Sequence, residues 1–521
     1  MGFDFPLSPY LTAAALLCAS VVASTIYSQI KRKHRAPGPP RLPLLGNVGQ
    51  ISKELPWFKL TEWSKQYGPI FSLDLLGQHV LVLNSHKSAA GFLERCTSVS
   101  SDRPRLIMGD ELMTRGMHMV MARYGEMWRK MRRTSTENLN TKATPKYKSL
   151  QAERAIRSTL NIIANPADWE FQMKRYTFSN IVGAVLGWEA FCDEEVALMD
   201  RIYWQVELIG KALMPGNHLV EFIPAMKYLP TWVAAWKSKA VGFYKSETKL
   251  LRGLTSRVEN EVKAGTARHS IIAEVQDNPQ KHGLSEDEVA WLTEFLLGAG
   301  AETTSTTLLN FVLAMRLHPE SMRKAQAELD SVIGRENMPQ FQDRDKLPYV
   351  RAIVKEMLRW RTPTPLAIPH ATTEDSWYEG YFVPKGTVVL PNVWAINHDP
   401  EVYGVDSDQF RPERFLDETG QHLISLPDVP DVGHASYGYG RRICAGIHFA
   451  EQSLFISIAT MLWAVNIGPA VDDKGNTITP SDIESVDTGI FMRPAPFACS
   501  FTPRFPEAPA ILEHTAAAKL F

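Results

Sequence analysis

A lone cysteine, Cys444, closes the stretch YGYGRRIC, which opens at Tyr437, and it precedes an apolar run, IHFAEQSLFISIATMLW. A cysteine set just before a helix start has its thiolate favoured by exposed backbone N–H groups and the helix dipole, which makes it a soft metal ligand. Taken alone, it reads by default as a small buried hydrophobe in a tight turn. Three other groupings bear on that choice. Gly298-Ala299-Gly300-Ala301-Glu302-Thr303-Thr304 sets small residues beside an acid and two hydroxyls in an apolar segment. Each glycine inside a helix costs about 0.8–1.0 kcal/mol relative to alanine, so a cofactor or dioxygen pressed against it, or a close neighbouring helix, must need the space. Glu356 and Arg359 stand at i and i+3 of one helix face, and Arg414, in Pro412-Glu413-Arg414-Phe415, could join them; a solvated surface pair is the alternative. Trp128 and Arg132, at i and i+4 of YGEMWRKMRR, are a carboxylate-binding pair or a solvated stripe.

The elements that would position these groups are mostly helical. Ser285-Glu286-Asp287-Glu288 is a capping box that opens a long helix running to His318-Pro319. It is apolar nearly all round and should be buried. A second helix starts at Pro348 and carries VRAIVKEMLRWR to the Thr362-Pro363 break. Two stretches, Ile70 to Asn84 and Tyr381 to Leu390, read as hairpins of small sheets, the second turning at Pro384-Lys385-Gly386. No repeat or low-complexity tract follows Arg41, so the body reads as one large domain.

Composition narrows the class. With 521 residues, 45% hydrophobic and 22% charged, the chain can bury a large core, and its 34 Pro and 32 Gly are dispersed, which excludes collagen-like and disordered classes. A net charge of −1 leaves no basic excess for nucleic acid. The five cysteines are odd in number and carry no C-x-x-C spacing, so at least one thiol is free and a reducing setting is the simpler reading. Residues 1–6 form a short lumenal N-terminus and 7–30 an uncharged run long enough to span a bilayer as an anchor. Residues 31–45 are a basic, Pro-rich linker whose Lys31, Arg32, Lys33 and Arg35 place the body, 46–521, in the cytosol. A cleaved secretory signal is the rival, but its basic residues would precede the apolar run.

Together these residues resemble the cytochrome P450 family of haem-thiolate monooxygenases, and the likeness extends over nearly the whole chain. The cysteine-loop signature appears as Tyr437, Gly440, Arg442, Cys444 and Gly446, with Tyr437 where the family has Phe; the oxygen-helix motif as Ala299, Gly300, Glu302, Thr303 and Thr304; the E-x-x-R pair as Glu356 and Arg359, with Arg414 as the further arginine. The resemblance implies a mainly α fold with small β-sheets behind one transmembrane helix, at the endoplasmic reticulum membrane with the catalytic domain cytosolic. It implies Cys444 as proximal ligand to the iron of haem b, and Glu302 and Thr303 as organisers of proton delivery. Glu356, Arg359 and Arg414 become a structural triad, and Trp128, Arg132, His370 and Arg442 partners of the haem propionates. Electrons would come from NADPH through a membrane-bound haemoprotein reductase, docking on Arg129, Lys130 and Arg133, because the chain has no nucleotide fingerprint of its own. The Tyr437 hydroxyl would alter hydrogen bonding near the sulfur.

The expected reaction inserts one oxygen atom from O2 into a lipophilic secondary-metabolite intermediate, a terpenoid by preference, with alkaloid or polyketide scaffolds as alternatives. A rearrangement without oxygen insertion and a haem sensor without turnover are the other readings. By the same resemblance the pocket walls come from Leu106, Ile107, Met108, Met117 and Met119, from Phe295, Leu296 and Ala299, from Leu366 and Ile368, and from Ile490 and Phe491. Such a lining would offer almost no charge partner to a substrate.

Overall fold

In the computed structural model, which describes residues 34–518 other than 190–192, 215–216, 472–473, 482–483 and 488, the Glu288 N–H donates to Ser285 Oγ at 3.3 Å and the Ser285 N–H donates to the Glu288 carboxylate at 2.7 Å. This reciprocal cap satisfies two donors that the first turn would otherwise leave unpaired. It opens a 32-residue helix, which ends at a His318 cap before Pro319 starts the next one. The helix carries polar residues at its first turn and is buried along almost its whole length, as an all-round apolar sequence requires.

Six helices carry the site: α1 (Glu126–Leu139), α2 (Trp169–Leu186), α3 (Asp193–Leu213), α4 (Glu286–Leu317), α5 (Pro348–Trp360) and α6 (Ile447–Ala464). The central α4 packs against α2, α3, α5 and α6, and against the short strand Met492–Pro494. One buried apolar cluster joins α4, α5 and α6; a second joins α1, α2, α3 and the first half of α4. The protein is thus mainly helical with small sheets. The anchor span 7–30 lies outside the described residues, and among those described no helix is long and apolar enough to cross a membrane.

The main sheet runs β1 (Ile70–Leu75), β2 (Gln78–Leu83), then the later strands β3 (His370–Ala371) and β6 (Val388–Pro391), in the order β1-β2-β6-β3. The first hairpin forms as its alternation predicts, with Leu76 and Gly77 both at positive φ. The second expected hairpin does not form. Tyr381–Val383 instead pairs with Ser376–Tyr378 around Glu379-Gly380, and β6 runs parallel to β2, with Val80 opposite Val388. The alternating pattern marks strands correctly but cannot tell which partner completes a sheet. Ahead of the sheet, the Pro-rich segment is docked rather than extended: the Ser72 N–H donates to the Pro37 carbonyl at 2.7 Å, and a Cβ on Gly38 would meet the Ser72 carbonyl oxygen at 2.1 Å.

The two glycines of α4 answer to neighbouring helices. A Cβ on Gly298 would stand 2.7 Å from Val206 Cγ2 of α3, and one on Gly300 would stand 2.7 Å from Ile181 Cγ1 of α2. Close packing of neighbouring helices uses the space at these two positions. Gly300→Val should therefore destabilise the fold by about 1–3 kcal/mol through overpacking, and the loss should shrink in an Ile181→Ala background. Urea denaturation of the four members of that cycle measures it; equal losses in both backgrounds would contradict the contact.

Candidate active site

The turn before α6 is built around positions that only glycine fits. Gly440 has φ +63°, and a Cβ there would lie 2.1 Å from the Leu93 carbonyl oxygen. The chain then makes a tight turn over Gly440–Arg442, and the Cys444 N–H donates to the Tyr437 carbonyl at 2.8 Å. Cys444 lies deep in the fold, where burial pushes its thiol up while the Gly446 N–H and the Arg132 guanidinium pull it down. Yet its side chain is left exposed rather than packed over. A cysteine kept as a small hydrophobe would be packed on all sides, so the geometry favours a ligand-holding sulfur. The Tyr437 hydroxyl donates to Glu451 Oε1 at 3.0 Å while its ring stays within electrostatic reach of Cys444.

Around this sulfur the fold gathers cations that make no direct ion pair with an acid among the described residues, although Asp102 and Asp110 are within electrostatic reach of Arg442. Arg442 stacks on the Trp128 ring with its guanidinium carbon 4.1 Å from the centroid, and donates to the Ser101 and Ala122 carbonyls at 2.9 Å each. Burial draws Arg442 down to about 10, and the neighbouring Arg132 adds to that. Arg132 itself and the Trp128 indole N–H have no hydrogen-bond partner among the described residues. His370 Nδ1 lies 2.9 Å from the Ser100 carbonyl, so this nitrogen donates; burial, with Arg103 and Arg442 nearby, holds the ring far below its usual range and therefore neutral. Sequence reasoning missed Arg103, which is buried, donates at 2.8 Å to the Ile368 and Pro369 carbonyls, and is repelled by Arg442. The acid closest to them, Asp102, is committed to Arg123 Nε at 2.7 Å and the Tyr124 N–H at 2.8 Å. Three arginines, an indole donor and a histidine held together in this way fit a cofactor with paired carboxylates, and the open thiol beside them fits its metal.

Glu356, Arg359 and Arg414 do meet, and wholly inside the protein. Arg359 donates to both Glu356 oxygens, at 2.6 and 2.7 Å, and to the carbonyls of Asn397, Ser407 and Gln409 at 2.6–2.9 Å. Arg414 Nε donates to Glu356 Oε1 at 3.1 Å, and the Arg411 N–H to the same oxygen at 2.7 Å. The solvated alternative is excluded, because all three side chains are almost fully buried.

On α4, Ala299, Gly300 and Thr303 remain partly open while their neighbours are buried, and the Thr303 hydroxyl donates to the Ala299 carbonyl at 2.9 Å. Glu302 points elsewhere: it accepts from Arg493 Nε at 2.7 Å and lines a cleft of about 620 Å³ with Asp168, Lys174, Tyr203, Glu207 and Phe491. Arg493 was missed because it follows a short irregular segment. The expected pocket walls divide. Phe295 and Ala299 share a cluster with Met117, Met119 and Trp128, whereas Leu366 packs into the separate core under β1 and β2, and Ile368 and Ile490 join none of the buried clusters. Nor is the lining free of charge. Asp110, His118 and Glu294 are buried among these apolar residues. Of the presumed docking cations, Arg129 is exposed over the Tyr124 ring, Lys130 pairs with Glu126 at 3.1 Å, and Arg133 donates to the Lys281 carbonyl at 3.2 Å.

A family model described as Cytochrome P450 matches residues 36–497. Cytochrome P450 monooxygenase 58 of Postia placenta is 46% identical over 476 residues, 91% of this chain and 90% of its own. A cytochrome P450 monooxygenase of Armillaria gallica is 40% identical, covering 95% of both chains, and one of Amanita muscaria is 35% identical, covering 97% of both. The site residues described above lie within the matched span. Arg359→Ala should destabilise the fold by about 3–5 kcal/mol, because it takes from buried Glu356 the guanidinium that pairs both of its oxygens and leaves only Arg414 and the Arg411 N–H on one of them. Arg359→Lys should rescue little of it, because an ammonium cannot reach two carboxylate oxygens and three carbonyls from one plane. Soluble yield and urea midpoints measure both variants; a stable Lys variant would contradict the fork geometry.

Proposed function

The chain belongs to the cytochrome P450 family of haem-thiolate monooxygenases, and on that premise we propose that it oxidises a lipophilic intermediate of secondary metabolism with electrons passed from NADPH by a separate reductase. The observation that carries the reading is the uncovered Cys444 thiol set beneath an unmatched group of arginines. Cys444 would hold the haem iron, and Trp128, Arg132, Arg442 and His370, with Arg103 behind them, would take the two propionates. His370 can donate from Nε2 only as the imidazolium, a form that a carboxylate at that nitrogen favours. Haem bound there would supply dioxygen activation, chemistry no side chain offers.

The protein's own part is to place substrate and to move protons. Thr303, in the open stretch of α4, offers a hydroxyl oxygen whose lone pairs stay available while its proton is held toward the Ala299 carbonyl. Glu302, one residue earlier, lines the polar cleft and is oriented by Arg493, and we assign it the transfer of protons inward. The exposed cations Arg129 and Arg441, both over the Tyr124 ring, suit an acidic reductase surface near the cysteine loop.

Membrane attachment at the endoplasmic reticulum through residues 7–30 is part of the same proposal. It is supported by large apolar side chains left exposed at Leu44, Ile223, Tyr228 and Trp232, which a bilayer surface would cover. The apolar walls around Phe295 and Ala299 suit a terpenoid skeleton; an alkaloid is the second reading, favoured by the buried carboxylates Asp110 and Glu294.

Reconstitution with a haemoprotein reductase and NADPH under ¹⁸O2, using a panel of lipophilic scaffolds, tests the activity: one labelled oxygen per product supports it, and unlabelled or rearranged product with no NADPH use contradicts it. Thr303→Ala should keep the cofactor but divert reducing equivalents to peroxide, so that product per NADPH falls by about tenfold or more. Unchanged coupling would remove Thr303 from the proton path.

A further inference from the structure

Between the turn of chain at Ile107–Met113 and the first half of α4, the fold brings together three ionisable groups that its fold-holding network does not use. Glu294 is 1% exposed; its Oε2 lies 3.0 Å from His118 Nε2, an ion pair when His118 is protonated, and neither carboxylate oxygen accepts a hydrogen bond. His118, 7% exposed, has an unpartnered Nδ1, and Asp110, 6% exposed, an unpartnered Oδ1. Asp110 and His118 are within electrostatic reach of one another, and burial holds Asp110 up to about 6. Phe295 presents its ring edge-on to His118, with centroids 5.8 Å apart, so the trio adjoins the Phe295–Ala299–Thr303 face of α4.

Charge counting shows what is missing. With His118 protonated the trio carries −1 when both acids are ionised, and with it neutral −2. Among the described residues the cations nearest the trio are engaged elsewhere: Arg123, whose charge reaches Asp110, is bound to Asp102, Arg442 donates to backbone carbonyls over Trp128, and Arg115 lies over the Tyr244 ring at 4.5 Å. A buried carboxylate without a partner is strongly disfavoured unless something else completes it. Around the trio the surface is apolar, with Met108, Met121, Phe295 and Val206 nearby. A ligand with a lipophilic body and one cationic head satisfies both requirements.

We propose that Asp110, His118 and Glu294 recognise a protonated amine, so that the substrate is a lipophilic scaffold bearing a basic nitrogen. This rests on the substrate reading above and narrows it. Asp110 and Glu294 are the groups that take the ammonium; His118 is a positioning residue that holds Glu294 at its station. Specificity then comes from one charged contact that fixes which end of the scaffold points away from the cofactor side of α4.

The experiment uses the purified holoenzyme and two probes, a lipophilic secondary arylalkylamine, protonated near neutral pH, and its isostere with CH2 in place of the nitrogen. Binding is measured by equilibrium dialysis, with the haem absorption change as a second readout. The wild type should bind the amine at least about tenfold more tightly than the isostere. Asp110→Asn and Glu294→Gln should each shrink that ratio about fivefold or more while leaving the affinity for the isostere unchanged. Equal affinities for both probes in the wild type would overturn the proposal whether or not the variants fold. So would variants that lose stability yet keep the full preference, since that result makes the trio a tie between loop and helix. If neither probe binds and neutral lipophiles of other shapes are also inert, the substrate reading itself falls along with this one.

Discussion

Glu356 is a carboxylate removed from water, and the hydrogen bonds it accepts from Arg359, Arg414 and the Arg411 N–H decide where Cys444 stands. Arg359 passes the constraint on by donating to the Asn397 carbonyl at 2.8 Å. Asn397 in turn accepts from the Ala435 N–H at 2.8 Å and donates to Ser436 Oγ at 3.0 Å, while Ser436 Oγ donates to the Leu358 carbonyl at 2.6 Å. One residue further, the Tyr437 carbonyl receives the Cys444 N–H. The cysteine loop is therefore suspended from α5 by a continuous chain of buried polar contacts. Such a network is stabilising only when every member is satisfied, because each unpaired group in a low-dielectric interior costs more than its bond returns.

The same physics run in reverse explains the region beside Cys444. There the protein collects Arg103, Arg132 and Arg442 and withholds acids from them, so each guanidinium is held below its ordinary value by burial and some by one another. A fold carries such repulsion when a ligand of opposite charge completes it. The proposed recognition of an amine follows the same logic with the signs exchanged, since Asp110 and Glu294 are buried among apolar walls, Glu294 on α4 itself.

Much of this was legible in the sequence, and for identifiable reasons. Cys444, the Glu356–Arg359 pair and the Ser285 capping box are local signals, fixed by spacing along one turn or one helix face, and the structure puts them where that spacing requires. The second hairpin failed because strand alternation carries no information about the partner, and β6 found β2 across 300 residues of chain. The two α4 glycines supported both of their readings until Val206 and Ile181 were seen against them. Arg103, Arg493 and Glu294 were missed because what marks them is three-dimensional: a charged side chain is ordinary in sequence and becomes informative only when it is buried and its partners are counted. The division of the pocket walls has the same origin, since Leu366 is apolar in either core and only tertiary packing assigns it to the one under β1 and β2.

The account depends on Cys444 being the thiolate that holds the cofactor's iron, and the ferrous carbon monoxide complex reports on that bond directly. Thiolate-ligated haem gives its complex a Soret band at markedly longer wavelength than a histidine ligand does, because the axial sulfur donates electron density to the iron. Wild-type protein purified with its haem should show the long-wavelength band, and Cys444→His protein that retains haem should show only the shorter one. The long-wavelength band persisting in the Cys444→His protein would place the ligand elsewhere and contradict the account at its centre.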